Sequence, residues 1–160
     1  RSGRAGAGAR PPGARAVSPA YHHPTLIGPI GVMNPVPTCS IVLLSFWSTR
    51  CEICRVELPR LNKLADRFNG GNKVVLLAPT MENDDIVNAF VRRNPFQFEV
   101  LPNSFGLLLQ YADRTKGGDV DMGFPSFFLI DQNGIVQFRG SGYGRIEPLT
   151  AAIDLLVAKS

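Results

Sequence analysis

The stretch Ile41–Phe46, IVLLSF, constrains this chain most. Its apolar residues run nearly unbroken, without the alternation of a strand that has one wet face. Such a run needs cover on both sides, as in the middle of a layered α/β sheet. A helical pattern follows almost at once. Ile53, Val56, Leu61, Leu64, Ala65 and Phe68 recur mostly at i, i+3 and i+4 spacing. Ser48 or Thr49 is placed to cap that helix, Pro59 to kink it, and Asn69-Gly70-Gly71 to end it. Residues 73–79, KVVLLAP, form a second buried strand. Residues 83–93 follow as a helix, with Ile86, Val87, Phe90 and Val91 on one side. A short strand falls within 96–102, a helix over 104–112, a polar loop over 113–123 and a strand over 126–131. Asn133-Gly134 turns the chain into a partner strand at 135–140, and a helix at 146–158 closes it. Early alternation of strand and helix implies parallel pairing, and the late hairpin adds antiparallel strands. The expected fold is therefore α/β, a central mixed sheet flanked by helices, over residues 41–160.

The rest of the chain reads differently. Residues 1–24 are rich in Gly, Ala, Pro and Arg and show neither periodicity, and Pro29, Pro35 and Pro37 argue against regular structure up to residue 40. Residues 1–40 are expected to be a largely irregular leader or linker. The first residue is Arg1 rather than Met, as expected of a processed or a recombinant product, in which a removed signal or anchor would not be visible. No apolar run is long enough to span a bilayer. The net charge of +4 comes from the leader: residues 1–49 hold Arg1, Arg4, Arg10 and Arg15 and no acid. Beyond them, 13 Lys and Arg meet 13 Asp and Glu. A nucleic-acid-binding domain carries its positive charge on the folded face, so that class is not supported.

Function is to be sought at Cys51 and Cys54, separated by two residues just where strand gives way to helix. A sulfur at a helix start faces the unpaired N–H groups of the first turn and its partial positive charge. The Cys51 thiolate is favoured there, at a pKa below the roughly 8.5 of a free cysteine. Cys54 lies nearly on the same face, one turn on, and the pair can close a disulfide without unwinding the helix. So small a ring is a poor staple and suits reversible exchange. Cys51 would attack a substrate disulfide and Cys54 would resolve the mixed disulfide. Two other readings stand beside this. Zinc needs about four ligands, which Cys39 and His22 or His23 could complete only if the leader folds back. The pair could also be buried, inert core.

Glu57 is three residues past Cys54, on the same side of the helix. Buried, it could take or return a proton as the thiols ionise; exposed, it would be a surface pair with Arg60. Ser45 precedes Trp47 by two residues and has no acid–base chemistry at ordinary pH. Pro125 stands just before a strand, where its missing N–H matters least. A cis Phe124–Pro125 bond would expose the Phe124 backbone to an extended substrate segment, although cis is uncommon even before proline.

Two segments carry a family likeness. FWSTRCEICRVELPRL resembles the F-W-x-x-x-C-x-x-C-x-x-E-x-P signature of thioredoxin-fold thiol–disulfide oxidoreductases of the TlpA/ResA type. GFPSFFLIDQNGIVQFRGSGY resembles the same family's cis-proline strand and following hairpin. The resemblance spans about residues 41–158. It implies a thioredoxin-like fold and an extracytoplasmic, often membrane-tethered reductant of proteins such as apocytochromes. It further implies Cys51 and Cys54 as the redox pair, Glu57 as the active-site acid, Pro125 as the cis-proline and Trp47 as the flanking aromatic. The expected partners are protein substrates bearing disulfides or thiols and an upstream thiol–disulfide electron donor. The working unit is expected to be a monomer, with no metal, nucleotide or other cofactor. Three departures stand out: Arg50 replaces the usual aromatic before the first cysteine, the 113–123 loop looks long, and the leader lacks the usual N-terminal hairpin. Direction of exchange depends on the reduction potential, which in C-x-x-C proteins spans about −270 to −120 mV. The rival readings are a redox-inactive binding module and a peroxiredoxin-like peroxide reductase. The intact pair argues against the first. The second needs a cysteine set in its own Thr/Arg site, a pattern not found around Cys51.

Overall fold

The computed structural model describes residues 40–68, 71 and 73–160. The leader, His22, His23, Cys39 and the Asn69-Gly70 helix stop lie outside the described residues. The elements run β1 (Ile41–Phe46), α1 (Glu52–Phe68), β2 (Val74–Pro79), α2 (Asp84–Val91), β3 (Glu99–Leu101), α3 (Phe105–Tyr111), β4 (Asp113–Arg114), β5 (Val120–Asp121), β6 (Ser126–Ile130), β7 (Val136–Ser141) and α4 (Ile146–Ala158).

Five strands form one sheet in the order β3-β2-β1-β6-β7. β1 pairs parallel with β2, and β2 with β3. β6 runs antiparallel to β1, and β7 antiparallel to β6. The mixed sheet expected from the order of elements is thus present, with β1 at its centre. Every residue of β1 is buried. Ile41 and Leu43 join one apolar cluster with residues of α1, α2 and α4; Val42, Leu44 and Phe46 join another with Leu108 and Tyr111 of α3. The unbroken apolar run is the imprint of that two-sided burial.

Three local expectations change. The 113–123 segment is not simply a loop: Asp113 pairs with Asp121 and Arg114 with Val120 in a small hairpin. Its turn closes through Thr115, which accepts from Gly118 and donates to Asp119 by their backbones, and Gly118 takes a positive φ of 87° that suits glycine. An ion pair from Asp113 to Arg139 ties the hairpin to β7. These bonds join residues far apart or of polar type, so no apolar pattern announces them. Second, α1 continues through Pro59 as one element, with the proline at the surface. Third, the buried face of its first turns is not the apolar one. Cys54, Glu57 and Leu58 point inward, in line with Leu61, Leu64 and Ala65, while Ile53 and Val56 are 40% and 54% exposed. An acid is inside and two β-branched apolar residues are outside. Such a break in binary pattern is costly to stability and is expected mainly where a site requires it.

Candidate active site

Cys51 directly precedes α1 and occupies its capping position. Its carbonyl accepts from the Arg55 N–H, and its Sγ accepts from the Cys54 N–H at 3.0 Å. The sulfur stands where a Ser or Asp oxygen would sit in an ordinary N-cap. Ser48 and Thr49, expected as caps from the sequence, do something else. Cys51 and Cys54 are joined as a disulfide with Cα atoms 5.2 Å apart. Cys54 is buried and Cys51 half-buried, so the first sulfur is the one a macromolecule can reach.

The loop before Cys51 is held by a residue the sequence reading missed. The Glu82 carboxylate accepts from the Thr49 N–H at 2.8 Å, Thr49 Oγ1 at 2.7 Å, Ser48 Oγ at 3.0 Å and Thr80 Oγ1 at 3.1 Å. Ser48 in turn bonds the backbone N–H groups of Arg50 and Cys51, through Oγ and through its carbonyl. Glu82 therefore clamps the turn that presents Cys51. It lies 31 residues beyond Cys51, after β2, and no local pattern marks it. Burial pushes its carboxyl pKa up, but the hydrogen bonds from Thr49, Ser48 and Thr80 prevail and hold it below the ordinary 4.5. As pH falls, the unfolded chain takes up this proton first. The clamp's stabilisation is thus complete above about pH 4.5 and lost below it, through the lower folded-state value. Glu82→Gln is expected to flatten this part of the stability–pH curve while lowering stability at pH 7. Denaturant titration of both proteins between pH 3 and 7 checks it; parallel curves would show that the clamp does not titrate as stated.

Glu57 is 1% exposed. Its Oε1 accepts from the Gly144 N–H at 3.0 Å, and Arg60 Nη1 reaches both oxygens, at 3.1 and 3.3 Å. Arg60 also pairs with Glu147 in the first turn of α4. Both sequence readings of Glu57 therefore hold in part: the carboxylate is buried, and Arg60 is its partner. The arrangement bridges α1, the loop after β7 and α4, and it places an acid one turn from Cys54.

The Phe124–Pro125 bond is cis. Phe124 is half-buried and Pro125 buried. Pro125, Cys54, Trp47 and Ser45 line one narrow cavity of about 10 Å³, together with Leu58 and Phe96 among others. That is about the room one solvent molecule needs. Ser45 Oγ is fully buried on this cavity with no hydrogen-bond partner among the described protein atoms. Trp47 is 3% exposed; its Nε1–H donates to the Ala78 carbonyl at 3.0 Å and its ring packs against Phe90 and Phe96. It forms the inner wall of the site rather than its rim. Cys54, Trp47 and Pro125, drawn from two segments some 70 residues apart, thus meet on this cavity, while Cys51 and Phe124 pack against the same apolar cluster and Glu57 lies one turn beyond Cys54. The two segments meet because β1 and β6 are neighbours, with Phe46 opposite Ser126.

Residues 36–139 match the AhpC/TSA family. The chain belongs to that family. Among its curated relatives are a thiol:disulfide interchange protein DsbE from Tatumella citrea, 36% identical over 102 residues (63% of this chain, 49% of the relative), and the thiol-disulfide oxidoreductase ResA from Bacillus thuringiensis, 30% identical over 95 residues (59% and 51%). The chain spans about half the length of the curated relatives it matches. A crystal structure of a DsbE-type thiol:disulfide interchange protein from Chlorobium tepidum superposes with a TM-score of 0.63 at 25% identity, covering 75% of this chain and 82% of that one. The resemblance to ResA-type thiol–disulfide oxidoreductases and the thioredoxin-like fold are both borne out by these matches. Among the described residues, no helix is long and apolar enough to cross a membrane.

Proposed function

We propose that this chain exchanges its Cys51–Cys54 dithiol with disulfides of protein substrates, acting as their reductant. The observation that carries this reading is the Cys51 sulfur in the capping position of α1, bonded to the Cys54 N–H. A thiolate there gains a direct donor and the favourable end of the helix dipole. In the reaction, the Cys51 thiolate attacks one sulfur of the substrate disulfide and expels the other as a thiolate. The Cys54 thiolate then attacks Cys51 Sγ and releases the second substrate sulfur. Two electrons pass from the pair to the substrate, and the ring closes as the disulfide present in the structure.

In this reading the buried Glu57 carboxylate takes the Cys54 proton as that thiol becomes a nucleophile, and Phe124, beside the cis bond to Pro125, offers backbone to the substrate segment. The Trp47 ring, held by its bond to the Ala78 carbonyl, forms the inner wall of the site. The TlpA/ResA resemblance supports extracytoplasmic substrates such as apocytochromes and a membrane tether outside this chain; the electron balance requires a separate thiol–disulfide donor that restores the dithiol, and the working unit in this reading is a monomer. Peroxide reduction is less well supported, because the Thr49 hydroxyl and N–H beside Cys51 are both engaged by Glu82.

Titration against a glutathione couple tests the proposal, combined with alkylation of Cys51 as a function of pH. A reversible two-electron couple is expected, with Cys51 labelling half-complete below about pH 8.5. The absence of any reversible couple would overturn the oxidoreductase reading.

A further inference from the structure

The loop between β7 and α4 is built with unusual economy around one exposed aromatic. Gly142 and Gly144 both take positive φ, 83° and 74°, conformations that strain any L side chain. Between them stands Tyr143, 65% exposed. The Gly142 N–H donates to the Pro125 carbonyl at 2.9 Å, and the Gly144 N–H donates to Glu57 Oε1 at 3.0 Å. Arg145 Nε closes the loop on the Ser141 carbonyl, and Ser141 Oγ reaches the carbonyls of Gly123 and Pro125. The crest of the loop is thus bolted on one side to the cis-proline segment and on the other to the first turns of α1.

Those are the two elements that flank the cysteine pair. The same turns of α1 leave Ile53, between the cysteines, and Val56 exposed while Glu57 is buried. Apolar residues turned outward beside a reactive sulfur serve no internal packing. An exposed tyrosine on a loop held at both ends offers a large contact area with little side-chain entropy to lose.

We propose that Tyr143 is a specificity-determining residue, which favours protein disulfides over small ones by packing on an apolar side chain next to the substrate's attacked cysteine. The occupant is one kind of partner, an extended disulfide-bearing protein segment lying across Cys51 between Tyr143 and the edge of α1 that carries Ile53 and Val56. The inference rests on the exchange reading above and adds to it what the substrate must present. Oxidised glutathione, with only small polar groups beside its sulfur, gains nothing from Tyr143.

The test is single-turnover oxidation of the reduced protein by insulin and, separately, by oxidised glutathione, for wild type, Tyr143→Ala and Tyr143→Phe. The ratio of the insulin to the glutathione rate constant is expected to fall about tenfold in Tyr143→Ala, as loss of one aromatic contact implies. Tyr143→Phe should restore the ratio, because the ring rather than the hydroxyl is used. The glutathione equilibrium of each variant provides the structural control. An unchanged ratio in Tyr143→Ala, or equal losses with both substrates, would overturn the proposal and make Tyr143 a surface or scaffold residue. Wild type inert toward both disulfides would instead remove the exchange reading on which it stands.

Discussion

Cys51→Ser is expected to abolish exchange, to below about one-thousandth of the wild-type rate, because the nucleophile itself is removed. Cys54→Ser should behave differently. Cys51 still attacks, but nothing resolves the product, so a mixed disulfide with a disulfide-bearing substrate should accumulate and be visible on a non-reducing gel. The asymmetry follows from placement: Cys51 caps α1 at the surface, while Cys54 is 6% exposed and faces the cavity lined by Pro125 and Trp47. Little stability should be lost with either change, since a disulfide closing so small a ring constrains the unfolded chain weakly. Equal trapping by both variants would show that the two sulfurs have no division of labour.

Glu57→Gln should slow exchange about a hundredfold, the scale of a single proton-transfer group. The amide keeps an acceptor for the Gly144 N–H and fits the same space, so the change isolates the charge. Arg60, partly exposed and still paired with Glu147, is not left as a buried unpaired cation. The stability loss is therefore expected to stay near 1 kcal/mol. Glu57→Ala should cost more, because it also strips the partner from Gly144 and loosens the loop that carries Tyr143. Exchange rate and thiol titration separate the two roles. If Glu57→Gln leaves both as in wild type while stability drops, Glu57 is a strut between α1 and α4 and not an acid.

These two predictions draw on parts of the chain that were legible to different degrees. The redox pair, the strand before it and the helix after it are local features. Their meaning comes from spacing along one short stretch, and a buried strand and a helix start have strong local signatures. The central position of β1 was readable for the same reason, since two-sided burial leaves no room for alternation. The capping atom was not. Ser48 and Thr49 have the better side chains for it, but Glu82 draws both hydroxyls away, and the cap falls to Cys51 Sγ. The face of α1 was misread for a related reason. Hydrophobic periodicity assigns Ile53 and Val56 to the core, yet the helix is rotated so that Glu57 faces inward and meets Gly144.

What the sequence by itself determined is the order of elements, the mixed sheet and the place of the two sulfurs, because each depends on residues within a turn or a strand of one another. What only the tertiary structure decided is the company those sulfurs keep. Pro125 reaches the cavity of Cys54 through the pairing of β1 with β6, Glu82 reaches Thr49 from the end of β2, and Gly144 reaches Glu57 from beyond β7. Each of these contacts joins segments more than 30 residues apart. The Glu82 and Gly144 contacts are made by polar groups satisfying one another and the Pro125 contact by close packing, and no periodicity along the chain encodes which groups will meet.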